Sequence, residues 1–188
     1  MNDTANIYRL PILTTDDPLF AKMARMVRPP KIESDQTVFE PAYASFDVAD
    51  GSVVDLSYFY QPPSDDPWSK VKGMFDRHLR TEELWVVMDG EFYMPLGLCS
   101  DPDDPDEMPK LDEMVCFIIK KGDIFVLKPN VWHCGPWSRH KGKPFSFYMA
   151  LSGHRTDSSG VNVDYIIKKF PEGTGILPDA EAAELHSK

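Results

Sequence analysis

The residues best suited to chemistry fall in two short segments. In Asp76-Arg77-His78-Leu79-Arg80-Thr81-Glu82-Glu83, the aspartate and histidine are two apart, so on an extended strand Asp76 and His78 share a face. Four residues separate His78 from Glu83, enough for a turn that returns the carboxylate to the imidazole. Downstream, Gly122 to Leu127 reads as a strand, Pro129-Asn130 as a turn, and His133 follows. If the second segment packs opposite the first, Asp76, His78, Glu83 and His133 form one cluster. Imidazole and carboxylate together suit a divalent ion such as nickel, zinc, manganese or iron, and they also suit an acid–base pair. His78, Glu83 and His133 are therefore candidates for both catalytic and metal-ligating roles. Asp76 is either a fourth ligand or a group that orients a histidine from behind. Glu82 competes with Glu83, but neighbours on a strand face opposite ways, and the spacing to Gly90 favours Glu83.

A substrate carboxylate would need a guanidinium fork. Arg77, Arg80 and Arg155 are available. Strand alternation turns Arg77 away from its neighbours Asp76 and His78, leaving Arg80 and Arg155 as candidate substrate-binding residues. Trp85, Trp132 and Tyr148 are candidate pocket linings, against the simpler reading that they fill the barrel. The three cysteines, Cys99, Cys116 and Cys134, are odd in number and widely spaced, which suggests reduced thiols. Cys134, beside His133, reads as a buried inert thiol. His140, His154 and His186 read as solvent-facing.

The elements that must position these residues are short. Seventeen prolines punctuate the chain, which suits β-structure better than a helical bundle. One helix is expected near the start, capped by Asp16 or Asp17, with Pro18 in its first turn and Leu19, Met23, Met26 and Val27 on its apolar face, and Pro29-Pro30 ending it. Strands are expected over Thr37 to Val48, Ser52 to Tyr60, Glu83 to Met88, Glu91 to Leu98, Met114 to Ile119, Asp123 to Leu127, Phe145 to Leu151 and Val161 to Ile167. Asp50-Gly51 and Asp89-Gly90 are hairpin signals. The acidic stretch from Asp101 to Glu113 lacks the spacing of a calcium loop and reads as a solvated excursion. A short helix, Asp179 to His186, closes the chain. Many short strands at regular turn spacing imply a sandwich, jelly roll or small barrel.

Length and charge narrow the function. The 188 residues suit one domain, read as a helical or extended arm over 1–36, a β-barrel core over 37–168 and a tail with a short helix over 169–188. A net charge of −10 argues against nucleic-acid and anionic-membrane partners. No apolar run reaches the length of a membrane span, and the N-terminus shows no signal-peptide pattern. The expected setting is cytoplasmic and the expected partner a small molecule.

The spacing Asp76-x-His78-x4-Glu83-x6-Gly90, followed by Gly122-x6-Pro129-x3-His133, resembles the two motifs of the cupin superfamily, with Asp76 where the general pattern has a histidine. More narrowly, Asp76-Arg77-His78, Gly90 and Asn130-Val131-Trp132-His133 resemble the ureidoglycolate lyase (formerly hydrolase) family. That family carries glutamine at the position of Glu83, and an arginine in the preceding strand where this chain has Tyr58 to Gln61. The resemblance spans Leu56 to Ser152. It implies an all-β double-stranded β-helix (a jelly-roll barrel with short flanking helices), a homodimer, a divalent metal, and release of urea and glyoxylate from ureidoglycolate in allantoin breakdown. The same donor cluster would equally serve a metal-dependent isomerase or oxygenase of a small sugar or acid, or a non-catalytic ligand-binding cupin.

Overall fold

The computed structural model describes residues 6–28, 45–48, 53–152 and 164–181. In chain order the elements are β1 (Asn6–Leu10), β2 (Ile12–Thr14), α1 (Pro18–Met23), β3 (Ala24–Met26), β4 (Val54–Gln61), β5 (Met74–His78), β6 (Glu83–Asp89) and β7 (Glu91–Leu98). They continue as β8 (Val115–Lys120), β9 (Ile124–Leu127), β10 (Val131–His133), β11 (Trp137–Ser138), β12 (Phe145–Ser152), β13 (Tyr165–Lys169) and β14 (Thr174–Pro178). One sheet runs β13-β5-β10-β7-β8-β2, with β11 also on β7, and the second runs β3-β9-β6-β12-β4. Strands β1 and β14 pair in parallel as a separate ribbon. The chain alternates between the two sheets as it advances: β5 lies in the first, β6 in the second, β7 and β8 in the first, β9 in the second, β10 in the first. This winding is the double-stranded β-helix.

Alternation explains the two hydrophobic layers. Along β7, Phe92, Met94 and Leu96 face the sandwich interior with Trp85, Phe117, Phe125, Phe145 and Phe147. The intervening Tyr93 belongs to a second cluster with Phe75, Trp132, Trp137, Leu10 and Ile176. Strand β7 is thus buried on both faces, which is why its sequence, Phe-Tyr-Met-Pro-Leu, is apolar without interruption. Each fully buried large apolar side chain contributes about 1.5–3 kcal/mol.

Several expectations change. The N-terminal helix is real, with Asp17 accepting from Leu19 N at 2.8 Å and Pro18 in its first turn, but it stops at Met23. Met26 lies in β3, whose antiparallel pairing with β9 supplies the backbone partners a longer helix would have kept internal. Asp89-Gly90 is not a hairpin between paired strands: β6 pairs with β9 and β12, and β7 with β8, β10 and β11. It is a corner that carries the chain from one sheet to the other. Gly90 has φ of 73°, and a Cβ there would meet Pro144 O at 2.3 Å, so both conformation and space demand glycine. The turn chemistry was legible, but the pairing partner is chosen by which face must be buried. The expected strand over Thr37 to Val48 falls largely outside the described residues, and 45–48 form none. Asp50-Gly51 and most of the C-terminal helix also lie outside them. The arm is woven into the sheets, with Ile12–Thr14 parallel to β8, and β14 is a strand the sequence reading missed. Among the described residues, no helix is long and apolar enough to cross a membrane.

Candidate functional site

Strand β5 pairs with β10 so that Asp76 lies opposite His133. Residues 79–82 then cross to the other sheet, where Glu83 opens β6 beside Leu127 of β9. Asn130 braces this crossing: its N–H donates to His78 O at 2.6 Å and its side-chain amide to Leu79 O at 3.2 Å. It does so with φ of 60°, a left-handed conformation that asparagine tolerates better than most residues.

The four expected donors meet. His78 Nε2 is 2.7 Å from Glu83 Oε1, and His133 Nε2 is 3.2 Å from the same oxygen. Asp76 Oδ1 is 3.7 Å from His133 Nε2, and Asp76, His78 and His133 each offer a ligand atom within 4.8 Å of the others. His78, Glu83 and His133 are buried, while Asp76 is partly exposed.

What turns these lone pairs inward is the set of contacts behind them. His133 Nδ1 lies 3.0 Å from Val131 O, so the ring donates backward and Nε2 is left toward the cluster. His78 Nδ1 faces Asp164 Oδ2 at 3.6 Å, an ion-pair distance rather than a full hydrogen bond. Trp85 Nε1 donates to Glu83 Oε2 at 3.0 Å, leaving Oε1 for the histidines. Outer contacts of this kind orient metal ligands and raise their basicity. By this test the donor set fits a divalent cation held by Asp76, His78 and His133, with Glu83 Oε1 against both imidazoles. Two nitrogens and two carboxylates suit nickel, zinc, manganese or iron alike.

Electrostatics follow from the packing. Burial disfavours charge on His78, but Asp164 and then Glu83 outweigh it and raise the imidazolium to about 9. For His133, burial again opposes charge, and Glu83 and Asp76 raise it to about 10. Burial alone would raise Glu83, yet His133 and His78 hold it well below the usual carboxylate range. Without a cation, the cluster is a carboxylate bridging two imidazoliums.

The cluster closes one end of a cavity of about 270 Å³ whose walls include Phe59, Trp85, Pro136, Phe147, Met149 and Leu151. No lysine or arginine lines it among the described residues. Trp85 lies where the sequence reading placed it. Trp132 does not: it is fully buried in the second hydrophobic layer, with the Arg77 guanidinium 5.0 Å from its ring. Alternation along β10 sends Trp132 and His133 to opposite faces. Tyr148 likewise points outward between Phe147 and Met149, and packs on Tyr58 with ring centroids 5.0 Å apart. Arg80 has an exposed side chain whose Nε is 3.7 Å from Asp164 Oδ1, and it is not among the cavity walls. Arg155 lies outside the described residues. Glu82 turns away to Arg25 at 2.9 Å. Arg77 also turns away, toward Cys99, Asn130 and Asp104 O.

Asp164 was missed. It sits far along the chain from His78 and comes beside it because β13 pairs with β5, Tyr165 opposite His78. Nothing in its local sequence announces this. The cysteines are free, and burial pushes both Cys116 and Cys134 well above the usual thiol range.

No protein-family model matches the chain, and no curated protein matches it. Among solved structures it is similar to a dTDP sugar isomerase from Desulfovibrio desulfuricans, with 12% identity over 79% of this chain and 84% of that one and a TM-score of 0.42. It is also similar to a cupin 2 domain-containing protein from Halorhodospira halophila, with 15% identity, 87% and 88% coverage and a TM-score of 0.40. A third likeness is to an oxalate decarboxylase from Lactobacillus farciminis, with 12% identity and a TM-score of 0.37. It covers 63% of this chain but spans only 27% of the decarboxylase. These are likenesses of fold.

Proposed function

We propose that the protein is a metal-dependent cupin enzyme of the oxygenase kind, acting on a small substrate with an apolar body. The observation that carries this reading is the meeting of two imidazole Nε2 atoms and one carboxylate oxygen, with Asp76 beside them, at the end of a cavity walled mainly by aromatic and aliphatic side chains. Two histidines and a carboxylate with positions left open are the donor set of non-haem iron oxygenases. When bound, a divalent cation would supply Lewis acidity and, if redox-active, an electron source for dioxygen.

The chain's own residues do the rest. Phe59, Trp85, Phe147 and Met149 hold an apolar body and keep water from the buried donors. Val131 O, Asp164 and Trp85 Nε1 fix the orientation of the three donors before substrate arrives. Asp76, partly exposed and 3.7 Å from His133 Nε2, is placed to take and return a proton at its carboxylate oxygen.

A lyase acting on ureidoglycolate is the second reading, supported by the Asp76-Arg77-His78 and Asn130-Val131-Trp132-His133 motifs. It would need a cation for the substrate carboxylate. Arg80 stands on Asp164 and no arginine or lysine lines the cavity among the described residues, so no guanidinium fork is at hand and the geometry favours the first reading.

The test is to load the purified protein anaerobically with iron(II), then with manganese, nickel and zinc in turn, and follow oxygen uptake across small aromatic and aliphatic acids, with ureidoglycolate in parallel. Oxygen uptake that needs iron and disappears in Glu83→Ala supports the oxygenase. Urea and glyoxylate without oxygen consumption would replace it with the lyase.

A further inference from the structure

A second cavity, of about 250 Å³, lies on the far side of the segment that follows His133, and it differs in character from the first. Its walls are polar and include Gln61, Ser69, Lys70, Lys72 and Ser138, with Trp137 and Pro136 as the apolar part. Pro136 is common to both cavities.

Lys70 and Lys72 both line the second cavity, from the stretch that leads into β5. Lys72 is half-buried, with its Nζ 5.4 Å from the centroid of the Trp137 ring. Among the described residues neither lysine is in an ion pair, so both ammonium groups on these walls are without a carboxylate partner. The single carboxylate on the walls is the exposed Asp66, whose backbone is tied to Ser64 and Ser69. Burial presses the Lys72 ammonium down from its usual range, Cys134 opposes this and Lys70 adds to it; an anion beside the ammonium would favour its charged form.

We propose that this cavity binds an oxyanion, the carboxylate or phosphate group of a small ligand, with Lys72 as the principal charge and Lys70 at its rim. This goes beyond the metal-centred reaction and does not depend on it.

The test is calorimetric titration at constant ionic strength with inorganic phosphate and, separately, with succinate. The proteins are the wild type, Lys72→Met, Lys72→Arg and His133→Ala, each checked for native circular dichroism. Saturable binding in the wild type and in His133→Ala, weakened about tenfold or more in Lys72→Met and kept in Lys72→Arg, is the expected result. Preference between phosphate and succinate identifies the group. Absence of saturable binding, or equal binding by Lys72→Met, overturns the proposal. So does binding lost in His133→Ala but kept in Lys72→Met, which would place the anion in the other cavity. If Lys72→Met does not fold, Lys72→Gln carries the same comparison.

Discussion

Trp85 and Glu83, two residues apart on β6, are joined by a hydrogen bond from the indole Nε1 to Glu83 Oε2 at 3.0 Å. One carboxylate oxygen is thereby occupied and the other is left facing two histidines. The indole also packs on Phe147 and Phe125, with ring centroids at 4.4 and 5.6 Å, so its donor is fixed by the core. Trp85→Phe should keep most of the packing and lose only the donor. Metal affinity is expected to fall about 10–100-fold, measured by competition with a chromophoric chelator, while the fold is retained.

Metal uptake should release protons. With imidazolium values raised to about 9 and 10, both rings are charged at neutral pH in the metal-free protein, and a cation needs them neutral. Calorimetry in buffers of different ionisation enthalpy should show release of about two protons per ion at pH 7. Release near zero would mean that the rings are already neutral or do not bind the ion.

The same shifts set a pH dependence of stability. Both histidines have folded values above the unfolded reference of 6.5. Their contribution is therefore complete below about pH 6.5, declines as pH rises, and is gone above about 9–10. Thermal unfolding of metal-free protein should show Tm falling across this window. Metal-loaded protein should not show that fall, because the bound cation replaces the protons.

Cys99 should be a slow thiol despite its partial exposure. Burial first, and then the hydrogen bond to Glu107 Oε2, push it up to about 12, against the opposing pull of Arg77. Labelling with a disulfide reagent at pH 8 should be slower than for a small-molecule thiol. Glu107→Gln should accelerate it, since the charge that disfavours the thiolate is removed.

Gly90→Ala should destabilise strongly. It combines a left-handed φ of 73° with a Cβ placed 2.3 Å from Pro144 O, so strain and clash add, at about 1–3 kcal/mol for the backbone alone. A lower denaturation midpoint with an unchanged slope is the expected signature. Gly122→Ala, with φ of 85° but open space around the added Cβ, should cost less.

Much of the site was legible because it depends on local rules. Alternation placed Asp76 and His78 together and turned Arg77 away, both from the period of two in a strand; the spacing to Gly90 chose Glu83 over Glu82. The same rule, applied to Trp132 and Tyr148, would have removed them from the cavity walls, since their neighbours His133, Phe147 and Met149 face it. The helix over-run at Met26 has a different cause: the apolar spacing fits a helix, but pairing with β9 claims the backbone.

The sequence by itself determined the donors, their facing, the corner glycines and the all-β character, because side-chain alternation and φ preferences act within a few residues. Only the tertiary structure decided that Asp89-Gly90 links two sheets, that Asp164 stands behind His78, and that Lys72 opens into a second cavity. Those outcomes depend on strands that pair across long stretches of chain. Which strands pair is set by the joint burial of apolar faces from both sheets, and no short window of sequence contains that information.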